Sequence, residues 1–255
     1  MSIRKLLVTA AALSTSVLFA QDVDDVVTKH VAAMGGAQKI KAIKTSKSVG
    51  KMIMGGGQME AQMTAWSLRP AHTRVEIDLQ GQKIVQGFDG TTSWMINPMS
   101  GNPEPQKAPA DEAKAAADNA DPDGSPLIDY KAKGTTVELL GKEDVEGAMA
   151  YKLKVTLKSG TASTMFLDEK SYLPTKMITK RKQMGQEMEL EAYPSNYKPV
   201  DGVQMPFSTE IKVGGRSMMQ YVIEKVETNI PVDEKIFAFP MKEAPPAATK
   251  EPVKQ

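Results

Sequence analysis

Cysteine is absent from this 255-residue sequence, and histidine and aromatic residues are scarce. Without cysteine the chain has no disulfide framework, no thiolate metal site and no cysteine for lipid attachment. The two histidines, His30 and His72, lie far apart and outside any HExxH pattern, so a histidine-based metal site is not predicted. The chain does contain 41% hydrophobic residues, enough at this length for one sizeable core without covalent cross-links.

The motifs of common catalytic sites are also missing. The sequence has no G-x-S-x-G elbow, no Walker loop and no G-x-G-x-x-G pattern, and the triplet Gly55–Gly57 is typical of a turn. The stretch Asp121–Gly124 is similar to the middle of a calcium loop, but Tyr130 stands where that loop needs a glutamate. We therefore predict no catalytic residue, no metal and no cofactor, and a protein that is not an enzyme.

The first twenty residues have the pattern of a secretory signal peptide. Arg4 and Lys5 precede an apolar run, Leu6–Phe19, and the small residue Ala20 stands at the expected cleavage point. The run is too short for a membrane-spanning helix. With Arg4 and Lys5 removed, 30 of the 32 basic residues remain against 31 acidic ones, and this balance favours neither nucleic acid nor an anionic membrane as a partner. The sequence therefore predicts export to the periplasm.

Three segments have the properties of helices. Residues 22–34 carry apolar side chains at helical spacing, with acidic residues in the first turn and a glycine pair directly after the last. A second, short helix is predicted over Ala37–Ile43, and an alanine-rich one over Ala108–Ala120. Because the third helix falls between predicted strands, residues 99–131 are expected to form a helical flap over a sheet.

Most of the remaining chain alternates apolar and polar residues, as strands with one buried face do. Arg74–Leu79 follows this pattern, and the pair Asp89-Gly90 predicts a two-residue hairpin. About eleven such strands predict one large antiparallel sheet, which should curl at that size. The predicted fold class is mainly β (α+β), a large curved antiparallel sheet forming an unclosed half-barrel covered by a few helices. The domain should span residues 21–242, followed by a disordered tail over 243–255.

Methionine is frequent, with seventeen residues against six phenylalanines and two tryptophans. Its flexible, polarizable side chain suits apolar contacts that change shape. Two interpretations stay open at this point: a cavity that accommodates acyl chains, or an ordinary core packed with methionine. Under the first interpretation the cavity is lined by apolar residues of the predicted strands, namely Met52, Met54, Met59, Met63, Val75, Ile77, Leu153, Val155, Met188 and Leu190.

Four stretches of the chain resemble the periplasmic lipoprotein carrier family LolA, whose divergent members are called outer-membrane lipoprotein-sorting proteins. They are Arg69-Pro70 at the end of a strand, Arg74 in the next strand, the segment Asp89–Pro98, and the closing segment Val232–Pro240. The resemblance covers most of the mature chain, although each motif is short.

The resemblance implies a half-open barrel with a helical lid that holds lipoprotein or lipid acyl chains, without hydrolysis and without a cofactor. It gives Arg69 the role of hydrogen-bonding the lid backbone and favouring the closed state, for which a guanidinium with five donors is suited. Trp94 would be a wall of the cavity or a plain core residue. The implied partners are transient, an inner-membrane exporter and an outer-membrane acceptor, and the protein would be a monomer.

The sequence also departs from the family pattern. The insertion over 99–131 differs from the family's lid, and the helix stop at Gly35-Gly36 is not part of that pattern. The cargo therefore stays open among a lipoprotein, a free lipid and a small hydrophobic molecule. A second hypothesis is a lipid or lipoprotein sensor of the same fold that regulates a membrane partner.

Overall fold

The computed structural model describes residues 15–183 and 186–240, which contain one antiparallel sheet of thirteen strands. In chain order the strands are β1 Thr45–Met54, β2 Met59–Leu68, β3 His72–Leu79, β4 Gln82–Asp89, β5 Ser93–Asn97, β6 Asn102–Lys107, β7 Thr136–Val145, β8 Ala148–Thr156, β9 Ala162–Asp168, β10 Pro174–Gln183, β11 Gln186–Val200, β12 Val203–Val213 and β13 Arg216–Thr228. Their order across the sheet is β6-β5-β4-β3-β2-β1-β13-β12-β11-β10-β9-β8-β7. The edges β6 and β7 are not paired with each other, so the sheet stays open, as the predicted half-barrel requires.

Three α-helices accompany the sheet in the described residues: α1 Thr15–Ala33, α2 Ala37–Ala42 and α3 Ala110–Asn119. Between α1 and α2 the backbone turns at Gly35, whose φ is 113°. A Cβ at Gly35 would lie 2.2 Å from the carbonyl oxygen of Gly202, so only glycine permits this close approach. The contact is completed by the Gln204 backbone N–H, which donates to the carbonyl of Met34 at 2.9 Å.

The two faces of the sheet can be separated by register, because directly paired residues of antiparallel strands point to the same face. We call inner the face that carries Met52, Met63 and Leu153. In the β1–β2–β3 part, Met52 pairs with Ala61, and Met63 pairs with Ile77. The alternating residues between them, such as Gln62, lie on the outer face.

The inner face carries two large hydrophobic clusters, and they differ in what covers them. The helix-covered cluster joins α1 and the segment after α3 to strands β8 and β9; its buried members are Val23, Val26, Val27, Leu127, Leu153, Val155, Met165 and Leu167. The strand-only cluster lies at the other side of the half-barrel; it comprises Met52, Ala61, Met63 and Ile77 with the half-buried Met54, Val75, Leu79, Ile84, Met219, Tyr221 and Ile223. Every one of its members in the described part of the chain lies on a strand.

Helix α3 connects the two halves of the opening. It follows the edge strand β6, and its other contacts reach the turn between β8 and β9, where the Lys114 Nζ donates to Thr161 Oγ1 at 2.9 Å. The Thr161 hydroxyl in turn donates to the Asp118 carboxylate at 2.6 Å. The helix therefore lies where the helical flap was predicted.

Some local predictions were wrong. The sheet has thirteen strands where about eleven were expected, partly because the edge strand β6 overlaps the stretch Gly101–Pro105, whose glycine and prolines are typical of a loop. An edge position tolerates its two prolines, since one side of the strand needs no N–H donors. The Asp89 hairpin is longer than two residues: β5 begins only at Ser93, and the Asp89 carboxylate accepts the backbone N–H groups of Thr91 and Thr92.

The structure does not test the predicted domain bounds. Helix α1 begins at Thr15, before the predicted cleavage point at Ala20. Most of the predicted signal peptide, and the predicted tail over 243–255, lie outside the described residues. The closing segment contains a short 3-10 helix, Glu234–Phe237, whose Phe237 is fully buried.

Candidate binding hollow

A pocket of about 380 Å³ opens on the inner face of the sheet, next to the strand-only cluster. Its floor is built by inner-face residues of β1, β2, β3 and β13: Ser46, Ser48, Ser67, Thr73, Ile223 and Val226. Its roof comes from the α1–α2 region, including Met34 and Ile40, and from the loop Asn119–Gly124. Ile223 also packs against the strand-only cluster, so the pocket adjoins the cluster. We call the pocket and the cluster together the hollow.

Arg69 closes one side of this pocket by joining the two parts of its roof. Its Nε donates to the carbonyl of Ile43 at 2.8 Å, and its Nη2 donates to the carbonyl of Ile40 at 3.0 Å. Both carbonyls lie at the end of α2, where the Ile40 carbonyl also accepts the backbone N–H of Ile43 at 3.2 Å. The same Nη2 donates to the Asp123 carboxylate at 3.0 Å. A single guanidinium therefore ties α2 to the loop that follows α3.

The loop side of this contact is fixed by further charges. Lys133 Nζ lies 2.7 Å from an oxygen of Asp123 and 2.7 Å from one of Asp121. Burial alone would raise the pKa of Asp123, whose side chain is only 5% exposed, but hydrogen bonds from Lys133 and then Arg69 outweigh burial and lower that pKa. The carboxylate therefore stays charged, and the contact to Arg69 is an ion pair at neutral pH.

His30 forms a second connection between a helix and the segment after α3. Its side chain is fully buried, with Nδ1 2.9 Å from the Tyr172 carbonyl and Nε2 3.2 Å from the Ser125 hydroxyl. Since a carbonyl only accepts, we assign the proton to Nδ1, and the Ser125 hydroxyl then donates to Nε2. Burial lowers the pKa of His30, opposed by the hydrogen bond to the Tyr172 backbone, so the imidazole is neutral.

The residues predicted to line a cavity fall into separate places. Met52, Met54, Met63, Val75 and Ile77 meet in the strand-only cluster. Leu153 and Val155 are fully buried under α1 in the helix-covered cluster. Met188 and Leu190 are half-buried on β11, at a distance along the sheet, and Met59 is 44% exposed at the rim. None of these predicted residues lines the pocket beside Arg69.

Trp94 lies on the outer face, away from the hollow. It pairs with Gly87, which pairs with Arg74 on the outer side of β3. The indole covers Gly87 so closely that a Cβ there would lie 2.2 Å from the ring. Its Nε1 donates to the carbonyl of Phe237 at 2.8 Å, and Arg74 Nη1 donates to the carbonyl of Ile236 at 2.7 Å. These motif residues hold the closing 3-10 helix against the sheet.

Sequence reasoning missed the hydroxyl-bearing floor of the pocket. On β1, Ser46 and Ser48 are an even number of residues from Met52 and therefore point to the same face. The same holds for Ser67 and Met63 on β2. The alternation that places the methionines on the inner face therefore also places these serines there. A polar residue at such a position gives no signal of an apolar cavity. The carbonyl groups that Arg69 contacts carry no signal in the sequence, since every residue has one.

Within residues 15–183 and 186–240, no three histidine or carboxylate side chains are grouped as metal ligands would be. In the same part of the chain, no helix combines the length and apolar character needed to cross a membrane.

The sequence matches no family model and no curated protein, but several solved structures match the fold. An outer membrane lipoprotein-sorting protein domain from Vibrio parahaemolyticus is 14% identical with a TM-score of 0.55, covering 86% of this chain and 97% of that one. A DUF1329 family protein from Desulfovibrio piger is 14% identical with a TM-score of 0.56, covering 85% and 97%. A LolA superfamily protein from Nitrosomonas europaea is 13% identical with a TM-score of 0.51, covering 81% and 96%. The chain therefore has a LolA-like half-barrel fold, which confirms the resemblance at the level of fold.

Proposed function

We propose that the protein is a periplasmic carrier that shields the acyl chains of a lipoprotein or lipid in its hollow and transfers them toward the outer membrane. The observation that carries this proposal is the strand-only cluster, an apolar inner face without a helix over it that adjoins a roofed pocket. The name of the lipoprotein-sorting domain from Vibrio parahaemolyticus supports it. In this proposal the protein is a monomer without a cofactor, and it carries out no covalent step.

The physical basis is the cost of exposing an acyl chain to water. Each methylene moved from water to an apolar surface contributes about 0.8 kcal/mol, so a long chain favours the hollow strongly. Met52, Met54 and Met63 supply flexible side chains that can follow an irregular ligand.

Loading and release require the roof to open, and Arg69 sets how readily this happens. Opening would separate α2 from the loop Asn119–Gly124 and break the hydrogen bonds of the guanidinium to Ile40, Ile43 and Asp123. A hydrogen bond of a charged group contributes about 1.5–3 kcal/mol. The closed state is then favoured by an amount that cargo or a membrane partner can overcome. An exporter at the inner membrane and an acceptor at the outer membrane would make only transient contacts.

The test is native mass spectrometry of the mature protein purified from a periplasm, followed by lipid extraction. A stoichiometric acylated peptide or phospholipid is the expected result. An empty protein that also fails to bind a fluorescent fatty-acid probe would overturn the proposal. A stable complex with one inner-membrane regulator would instead favour the sensor hypothesis.

Substitutions locate the binding surface within the sheet. Met63→Glu places a carboxylate on the inner face, and because burying an unpaired charge is costly, we expect affinity for the fatty-acid probe to fall about tenfold or more. Leu190→Glu should have a smaller effect, because Leu190 lies on β11 outside both the strand-only cluster and the pocket. Gln62→Glu is the matched control, since Gln62 is exposed on the outer face of the same strand. Equal losses in all three variants would contradict the proposal.

A further inference from the structure

The inner face of the hollow changes from apolar to polar along three neighbouring strands. On β1 the inner positions run from Met54 and Met52 to Ser48 and Ser46. On β2 they run from Met59, Ala61 and Met63 to Ser67, and on β3 from Leu79 and Ile77 to Thr73. Because neighbouring strands are antiparallel, all the hydroxyl ends meet at one end of the hollow. That end is the pocket beside Arg69.

The hydroxyl groups at this end have hydrogen-bonding capacity to spare. The Ser46 and Ser67 hydroxyl oxygens lie 2.7 Å apart, so one hydroxyl donates to the other and the second O–H remains available. Within the described residues, no partner is recorded for the hydroxyls of Ser48 and Thr73, although both are half-buried. Half-buried hydroxyls facing a pocket are groups that a ligand oxygen can satisfy, since each can donate one hydrogen bond.

Two cations lie at the same end, beside the carboxylates Asp121 and Asp123, which are paired with Lys133. Arg69 uses Nε and Nη2 for the roof contacts, and its Nη1 has no recorded partner among the described residues. Lys44 is exposed at the mouth of the pocket, where its Nζ donates to the Lys41 carbonyl. Both cations are donors only, so this end suits a head group whose oxygens accept hydrogen bonds.

The length of the gradient fits one acyl chain. Ser48 and Met54 are six residues apart on β1, which corresponds to about 20 Å at 3.4 Å per residue. The hydrocarbon layer of one bilayer leaflet is about 15 Å thick, half of the roughly 30 Å core. A chain that fills one leaflet therefore fits between the hydroxyl end and the methionine end.

We propose that the hollow binds acyl amphiphiles in one fixed direction, with the oxygen-bearing head beside Ser48, Thr73 and Arg69 and the chain end beside Met54 and Leu79. The inference rests on the proposed function and adds the orientation of the ligand and the chemistry of its head. A free carboxylate and an acyl ester share this chemistry, and the experiment below separates them.

Photo-crosslinking tests the direction on the mature wild-type protein. Two palmitic acid analogues are used, one with a diazirine next to the carboxylate and one with a diazirine next to the terminal methyl group. We expect the first to label residues 46–48 and 67–73, and the second to label 52–63 and 77–79. Identical or reversed patterns would overturn the inference. If neither analogue labels the protein above the level seen with excess palmitate, the proposed function itself fails.

A matched pair of isosteric variants tests the head site. Thr73→Val removes a hydroxyl from the pocket, whereas Thr64→Val removes one from the half-buried outer face of β2. We expect Thr73→Val to weaken palmitate binding about fivefold, the loss typical of one hydrogen bond, and Thr64→Val to leave it unchanged. Binding of hexadecane, which has no head, should be equal in both. Equal palmitate affinities in the two variants would overturn the inference.

Comparing palmitate with methyl palmitate tests whether the head group is a free carboxylate or an acyl ester. Stronger binding of palmitate that Lys44→Gln abolishes would identify a free carboxylate, and similar binding of the two would identify an acyl ester. Both results support the shared head chemistry. Tighter binding of hexadecane than of either would contradict it.

Discussion

The two halves of the half-barrel differ in what covers the inner face of the sheet. In the half around β8 and β9, the inner face is packed against α1, and Leu153 is fully buried there. In the half around β2 and β3, the members of the inner cluster all lie on strands, and a tryptophan is buried on the outer face. Both halves bury an aromatic side chain on the outer face, Phe166 in the first and Trp94 in the second, but only the first has a helix packed on its inner cluster.

This difference has a consequence for binding. A curved sheet needs one packed face for stability, and a carrier needs an inner face that a ligand can contact. The outer contacts of Trp94, Arg74 and Phe237 stabilise the β3–β5 region without occupying the hollow. The Met63 side of the sheet can then be reserved for cargo, while the Leu153 side supplies the core. The comparison predicts which substitutions affect folding and which affect binding.

The largest expected effect is that of Trp94→Ala, which removes the outer support. Trp94 is 1% exposed, and truncating a buried tryptophan typically costs about 3–5 kcal/mol. We expect the free energy of unfolding in urea to fall by about 4 kcal/mol. Trp94→Phe should cost less, because it keeps most of the ring contact with Arg74. Its remaining cost comes from the lost hydrogen bond to the Phe237 carbonyl. A loss below about 1 kcal/mol for Trp94→Ala would show that this half does not depend on its outer face.

The second prediction compares the two inner clusters directly. Leu153→Ala leaves an enclosed cavity under α1, so the free energy of unfolding should fall by about 3–4 kcal/mol. Met63→Ala should cost less, about 2 kcal/mol, because no helix lies over the strand-only cluster to enclose the cavity that the truncation leaves. Affinity for a fatty-acid probe should change in the reverse order, falling for Met63→Ala and staying constant for Leu153→Ala. Equal destabilisation by the two would identify the strand-only cluster as an ordinary core.

The sequence predicted the curved antiparallel sheet because alternation and turn residues are local signals. The turn at Gln80-Gly81 fixes the pairing of Glu76 with Val85. The two-residue turn expected at Asp89-Gly90 would pair Trp94 with Val85. Because Glu76 and Val85 lie on the outer face, this turn also places Trp94 on the outer face. The outer position of Trp94 was therefore available from register, whereas the family resemblance left Trp94 open between a wall of the cavity and a core residue.

Other features could not be predicted because they depend on distant pairings. Strand β1 lies between β2 and β13, and only the second pairing spans most of the chain. The half of the sheet that α1 covers depends on this long-range pairing. Alternation alone therefore could not show that Leu153 lies under a helix and that Met63 does not. His30 finds its partners Tyr172 and Ser125 at separations of 142 and 95 residues.

A smaller effect is expected at the roof, where Arg69→Lys keeps the charge beside Asp123. Lysine cannot donate to Ile40, Ile43 and Asp123 in the same geometry. We expect the free energy of unfolding to fall by about 1–2 kcal/mol, and hydrogen exchange to accelerate in residues 37–43 and 119–124. Arg216→Lys, at the exposed start of β13, is the control. Unchanged exchange in both segments would exclude Arg69 as the contact that holds the roof.

The smallest effect should be a pH dependence that belongs to the helix-covered half. Burial lowers the pKa of His30 in the folded protein, whereas the unfolded chain titrates near the ordinary value of about 6.5. Below that pH the unfolded state binds the additional proton, so stability falls as the pH falls from about 6.5 toward the lowered folded value. The carboxylates with lowered pKa values, such as Asp123, begin to contribute only nearer pH 4. Urea unfolding between pH 7 and pH 5 should therefore show a loss that His30→Gln largely removes. If His30→Gln loses as much stability between pH 7 and pH 5 as the wild type, the loss belongs to other groups. If ligand affinity also falls over this pH range, His30 contributes to the roof of the hollow as well as to the core.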